Sequence, residues 1–440
     1  MKRKMNFVLA FLIGFFVVMP NVNAKTTVNE QEYDSLEDAI KAVGSAEATF
    51  KLTSDEIGSP KTINIPAGAS YTIDGGNFTV NYSFNLDATA AENSSLKVMN
   101  LIMDGNGTLG MAINSQEQVN KPNELTLSVT NSTIRNYVNK GLYLTNIKNL
   151  LVDNVKFNDL ATTTQTWCTG DYALDVNLIG VQDAEITIKN STFAGHSGGN
   201  APIKVTQRGG FDDINTDVPY YKEGHSNTPA SIKSLVVENC DFTDVTGNSK
   251  GDVIIGSQYN DDGTARTSAT AYNYKIIAKE GTTTEVYTRS TKEAEENGTN
   301  KPVVVEAGSP LMQLTSYVLN SDDGNINLEV NGTYQLSYYF GDKGATIVNA
   351  PTVTFRSSDD SIVSVSSDGV LTAKKAGTAT IYATYDNGEY NWQVNVMGSN
   401  ETTIAEEVEN PETSDGVLLF LGLTIVGFAG VAITYKRLHN

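Results

Sequence analysis

Apolar residues alternate with polar ones in several short stretches of the chain, and each stretch stops at the same kind of residue. In ITIKNSTFAG, Ile186 and Ile188 alternate with Thr187 and Lys189 before Asn190, and Phe193 follows. The pattern recurs as Leu127, Val129, Asn131, Ile134; as Leu150, Val152, Asn154, Phe157; and as Leu235, Val237, Asn239, Phe242. A looser copy has Leu96, Val98, Asn100 and Met103, and YTIDGGNF puts Gly75 in the asparagine slot. Alternation predicts strands with one buried face. The fixed offset between asparagine and apolar positions predicts an internal repeat, with uneven spacing absorbed by loops.

The elements predicted are the coils of a right-handed parallel β-helix. Asparagine suits the corner because its short amide tolerates the left-handed conformation, and Gly75 is expected to supply a positive φ there. Stacked coils lie about 4.8 Å apart, so buried amides of Asn100, Asn131, Asn154, Asn190 and Asn239 are expected to form a hydrogen-bonded ladder. A β-sandwich with Asn-rich turns is the alternative, but its turns would not hold a fixed offset. DSLEDAIKAVG (34–44) predicts a helix capped by Ser35, suited to closing the open N-terminal end.

The repeated Asn-x-x-Phe corner resembles the pectate-lyase-like superfamily over about Ala48 to Ile277. That resemblance implies fold more than function, since such folds host lyases, hydrolases and non-catalytic adhesins. Further along, SDDSIVSV, DGVLTA and AGTATI resemble the group 2 bacterial immunoglobulin-like domain over about Asn325 to Val396, which implies a β-sandwich stalk. The domain plan is therefore 1–24 signal peptide, 25–278 β-helix with helical cap, 279–324 linker or β-helix cap, 325–397 immunoglobulin-like domain, and 398–409 acidic spacer. Residues 410–440 complete it.

The two ends carry addresses. Lys2, Arg3 and Lys4 precede an apolar run and a V-N-A site, the order of a secretory signal peptide. Near the C-terminus, NPETSD precedes an uncharged stretch from Gly416 to Tyr435, long enough to span a bilayer as a helix, with Lys436 and Arg437 behind it. This order resembles the Gram-positive cell-wall sorting signal. It implies sortase attack at the Thr413 carbonyl, release from Ser414, and transfer to peptidoglycan. Asn410, ahead of Pro411, stands where Leu is usual, and Ser414 where Gly is usual. The expected location is the peptidoglycan of a Gram-positive cell, facing outward.

Composition narrows the partners. With 31 basic and 51 acidic residues the formal charge is −20, which argues against nucleic acid. Cys168 and Cys240 fall two coils apart, about 10 Å, beyond the usual reach of a disulfide unless the Trp167–Cys168 loop reaches back. Histidines at 196, 225 and 439 do not make a metal site. No cofactor is called for. Asp-Asp-Gly at 261–263 and 322–324 reads as turns rather than calcium loops.

A second strand precedes each asparagine corner, and its outward residues are expected to align as Asn85, Ala112, Tyr143, Asp175, Lys204 and Ile254. Tyr143 suits stacking on a sugar ring; Asp175 and Lys204 suit hydrogen bonds to hydroxyls. Long insertions flank this strip and carry Trp167, Tyr220 and Tyr221, residue types that line carbohydrate grooves. Catalysis would draw on Asp175, Lys204, Arg208, Asp212 and Asp213, but Asp175–Lys204 also reads as a surface salt bridge between coils. The expectation is a surface protein whose β-helix binds an extracellular glycan or host ligand without turnover. A polysaccharide lyase or glycoside hydrolase, and a structural surface-layer component, are the alternatives.

Overall fold

The structure is a computed structural model that describes residues 25–86, 93–115, 124–160, 172–178, 181–196, 200–207, 230–257, 272–289, 301–386 and 388–398. Residues 1–24 and 410–440, expected as signal peptide and sorting signal, lie outside the described residues. Among the described residues, no helix is long and apolar enough to cross a membrane. Among the described residues the chain is mostly β, with one helix, Leu36–Val43, and many short strands.

The repeat becomes parallel pairing. Leu125–Thr130 pairs in parallel with Ser95–Met99 on one side and Ile147–Asp153 on the other, with Leu96, Leu127 and Leu150 in register. The ladder runs on through Ile186, Leu235 and Tyr274. All six face the interior and are buried. Beyond the corner a second ladder aligns Met103, Ile134, Phe157 and Phe193. Phe157 and Phe193 stack with centroids 4.8 Å apart, and Phe193 and Phe242 at 5.2 Å, so the repeat builds an aromatic column inside the stack.

The corner asparagines take the left-handed conformation: φ is 53° at Asn100, 49° at Asn131, 55° at Asn154, 51° at Asn190 and 52° at Asn239. The turn lets each backbone N–H keep pairing with the next coil, as Asn131 N donates to Asp153 O at 3.1 Å and Asn190 N to Glu238 O at 3.0 Å. The expected burial of the amides is wrong. Asn131, Asn154, Asn190 and Asn239 are exposed, because the left-handed residue throws its side chain outward and turns the following one in. That following residue is Leu101, Ser132, Val155, Ser191 or Cys240, each buried. Ser132 Oγ accepts from Leu101 N, and Ser191 Oγ from Val155 N, so serines satisfy the corner amides of the coil before.

The amide ladder is also broken in places. Asn154 Nδ2 donates to Asn131 Oδ1 and Asn239 Nδ2 to Asn190 Oδ1, but Asn190 Nδ2 turns to Asp153 Oδ1 and Asn100 Nδ2 to Asp74 Oδ1. Gly75 does not have the expected positive φ; Gly76 at 56° and Asn77 at 67° do. Gly75 is needed for close approach instead, since a Cβ there would lie 2.6 Å from Asn100 O. This wider turn places Val80 rather than Phe78 opposite Met103.

Both ends of the stack are closed by non-repeating pieces. Leu36, Ala39 and Ile40 of the helix are buried, and Ser35 Oγ accepts from Asp38 N as the sequence predicts. A buried carboxylate adds to this cap: Glu56 accepts from Leu36 N, Thr26 Oγ1 and Tyr82 Oη. At the other end, in the segment expected as linker or cap, Val303–Glu306 and Leu311–Gln313 lie antiparallel on the last coil. Leu311–Gln313 also pairs in parallel with Thr346–Val348. A four-stranded and a three-stranded sheet follow, around a core that includes Val363, Leu371, Ile381 and Trp392. Cys240 is a free, buried thiol that burial pushes up to about 12; Cys168 lies outside the described residues.

Because the asparagines act through φ rather than burial, Asn190→Leu should cost about 1–2 kcal/mol, while Asn190→Gly should lose only a few tenths of that cost. Urea melts of the two variants check this. A glycine variant as unstable as the leucine one would mean the side-chain amides hold the coils together.

Candidate functional site

The second-strand column exists, with one register change. Asn85 pairs with Asn114, Asn114 with Tyr143, Tyr143 with Asp175, Asp175 with Lys204, and Lys204 with Ile254. Ala112 is therefore not the outward residue of its coil. Met111–Ser115 sits two residues along from the expected register, so Asn114 takes that place, and Ala112 is buried. Upstream, Asn64 pairs with Asn85, and the three amides form a ladder: Asn85 Nδ2 donates to Asn64 Oδ1 at 3.1 Å, Asn114 Nδ2 to Asn85 Oδ1 at 3.0 Å. Among the described residues Asn114 Oδ1 accepts no hydrogen bond, since Tyr143 replaces the amide in the next coil.

Further along, the column is not a surface. Asp175 is 1% exposed and Lys204 6%, and Lys140, 3% exposed, joins them. Lys140 Nζ lies 2.5 Å from Asp175 Oδ2 and Lys204 Nζ 3.2 Å from Oδ1. The expected weak surface pair is thus a buried triad of two cations and one carboxylate. Burial alone would raise the Asp175 pKa; the charges of Lys140 and Lys204 outweigh it and hold the carboxyl below its usual range. The ring centroid of Tyr143 lies 4.5 Å from Lys140 Nζ, and that of Tyr172 4.9 Å from Lys204 Nζ. Beyond the triad, Ile254 packs into a small apolar cluster with Tyr172, Ala201 and Tyr287.

Sequence reasoning missed Lys140. The pattern gave no signal for it: the lysine shares the two-residue period of the inward Leu142 and Leu144, yet its Nζ meets Asp175 and the Tyr143 ring of the outward column. Trp167, Arg208, Asp212, Asp213, Tyr220 and Tyr221 lie outside the described residues, as do Asn410, Pro411, Thr413 and Ser414. His196 ends the strand Thr192–His196.

One further acidic residue was not predicted. Asp252 lines a cleft of about 520 Å³ with Phe242, Thr243, Asn248 and Glu285. Its carboxylate accepts from Glu285 N at 2.8 Å and Asn248 Nδ2 at 3.2 Å. Burial raises its pKa against these bonds, and the charge of Glu285 adds to the rise. Nothing in Lys250-Gly251-Asp252 distinguishes it from a turn.

Residues 312–396 match the bacterial Ig-like domain (group 2). That assigns the C-terminal β-sandwich. No match was found among curated proteins. Among solved structures, the chain is similar to domains 4 and 5 of the S-layer protein SbsC, at 15% identity over 31% of this chain and 72% of that one, TM-score 0.17. It is also similar to ORF18 of Geobacillus virus E2, at 12% identity over 82% of this chain and 69% of that one, TM-score 0.24. At these TM-scores neither likeness bears on the fold.

Removing the central carboxylate takes an ion-pair partner from two buried cations at once. Asp175→Ala should therefore destabilise the protein by about 3–5 kcal/mol. A shift of the urea midpoint within error of the parent would show the triad to be solvated.

Proposed function

We propose that this chain is an extracellular surface protein whose parallel ladders form a right-handed β-helix of the pectate-lyase-like kind. That β-helix binds a glycan or host surface ligand without turning it over. The observation that carries the reading is the burial of Asp175 between Lys140 and Lys204. A carboxylate held ionised and 1% exposed is withdrawn from acid or base work on a bound polymer. What stays accessible on the same column is neutral: Asn64 is exposed, and Asn85, Asn114 and Tyr143 are half-buried. Amides in line with an aromatic ring offer hydrogen bonds to hydroxyls and a stacking platform. The group 2 Ig-like domain supports an exported stalk.

The enzyme reading is favoured by one residue, Asp252, whose raised carboxyl in a cleft is suited to a general acid. If that reading holds, Asp252→Asn abolishes release of reducing ends or unsaturated uronates from a polysaccharide panel. If binding without turnover holds, the parent releases neither. On a glycan array Tyr143→Ala should then weaken binding by about tenfold or more, and Asn114→Ala by a few-fold. Silence of both substitutions favours a purely structural surface role.

Anchoring to peptidoglycan through Thr413, with sortase as the partner, completes the proposal and rests on the order of motif, apolar stretch and basic tail. Thr413→Ala should move the protein from the peptidoglycan fraction to membrane or medium. Full extraction of the parent by detergent would make the tail an ordinary span.

A further inference from the structure

The contact between Lys140 and Asp175 joins two successive coils, 35 residues apart in the chain. Three features of its surroundings bear on reactivity. First, both groups are almost fully buried, so the pair is held against a desolvation penalty that falls on each ion. Condensation to an amide would remove both charges together. Second, Lys204 is a second cation on the same carboxylate. A neighbouring cation disfavours the protonated form of an amine and is one of the ways a lysine becomes a nucleophile. Third, Lys204 Nζ sits 3.2 Å from Oδ1, where it would face the negative charge that builds as a nucleophile adds to Cγ. The rings of Tyr143 and Tyr172 lie beside these amines.

We propose that the folded chain joins Lys140 and Asp175 by a side-chain amide bond, with Lys204 as the group that promotes it. Lys140 passes a proton to Asp175 Oδ2, and the neutral Nζ adds to Cγ, forming the C–N bond. The developing charge on Oδ1 is met by the Lys204 ammonium. Oδ2 then departs as water, taking the second proton lost by Nζ as the Cγ–Oδ2 bond breaks. Ammonium and carboxylate become amide and water, with no change of oxidation state and no co-reactant. Lys204 is unchanged at the end, and the triad keeps its net charge of one cation. The bond would staple the strand Lys140–Leu144 to Leu174–Leu178. It is independent of ligand binding, since neither reacting group lies on the accessible part of the column.

The test is a tryptic digest of the purified full chain after denaturation, read by mass spectrometry. Uncut at Lys140, peptide 136–148 should appear linked to peptide 157–189, lighter than the two together by one water. Lys140→Arg and Asp175→Ala should each restore separate peptides of full mass. Lys204→Met keeps both reacting groups and should also leave them unlinked. Separate peptides of full mass from the parent chain overturn the bond, and this result needs no variant to fold. Complete linkage in Lys204→Met overturns the part assigned to Lys204.

Discussion

The left-handed asparagine corner is the constraint on which the stack depends. At each corner the backbone must reverse within one residue while its N–H stays in line with the next coil. Asn154 meets both demands, with φ of 55° and its N–H on Lys189 O. The turn also decides what enters the core. By pointing its own side chain to solvent, each asparagine sends in the next residue, and two residues later the apolar position of the second ladder. The stacked Phe157, Phe193 and Phe242 are a consequence of that geometry. An asparagine costs less here than a branched residue because its amide is compatible with a positive φ. Solvent, or a neighbouring carboxylate such as Asp153, satisfies the amide once it is outside.

The same stacking that aligns apolar residues also aligns polar ones, and their meaning changes along a single column. Asn64, Asn85 and Asn114 bond to one another because the spacing between coils matches an amide-to-amide hydrogen bond. Two coils on from Asn114, that spacing brings a carboxylate against an ammonium. Parallel pairing forces Asp175 and Lys204 side by side, but a one-to-one pair is not what forms. Lys140, from the preceding coil, reaches the other carboxylate oxygen. Such a triad inside a low-dielectric shell is poor evidence for stability, because desolvation opposes attraction. It is better evidence for a local role that needs charge without water.

Much of this was legible in the sequence, and the reasons for the misses differ. The strands and corners were legible because period-two alternation and a repeated asparagine report the backbone directly. The burial of those asparagines was misjudged because the pattern gives the conformation at the corner and not the direction of its side chain. The register of Met111–Ser115 slipped because Met111, Ile113 and Ser115 share one parity with two possible partners. Asp175 and Lys204 were correctly placed in one column. Their burial was not foreseen, since it depends on Lys140, whose parity matches the core leucines, and on Tyr172, which precedes its strand. Asp252 had no local signal at all, as its setting is made by Glu285 of the following coil.

A stack of parallel coils has one problem that repetition cannot solve, which is its two open edges. At the start, the helix Leu36–Val43 covers the core, and Thr26–Val28 runs antiparallel to Phe50–Leu52. At the end, the closing strand is shared. Leu311–Gln313 lies antiparallel on Tyr274–Ile276 and parallel to Thr346–Val348, and the Ig-like match begins within it, at residue 312. Lys275 and Asp342 add an ion pair 2.5 Å long between the same two regions. Loss of either region would therefore expose an unpaired strand edge on the other. A flexible tether would leave both edges to aggregate independently; a shared strand makes the cap of one domain part of the fold of the next.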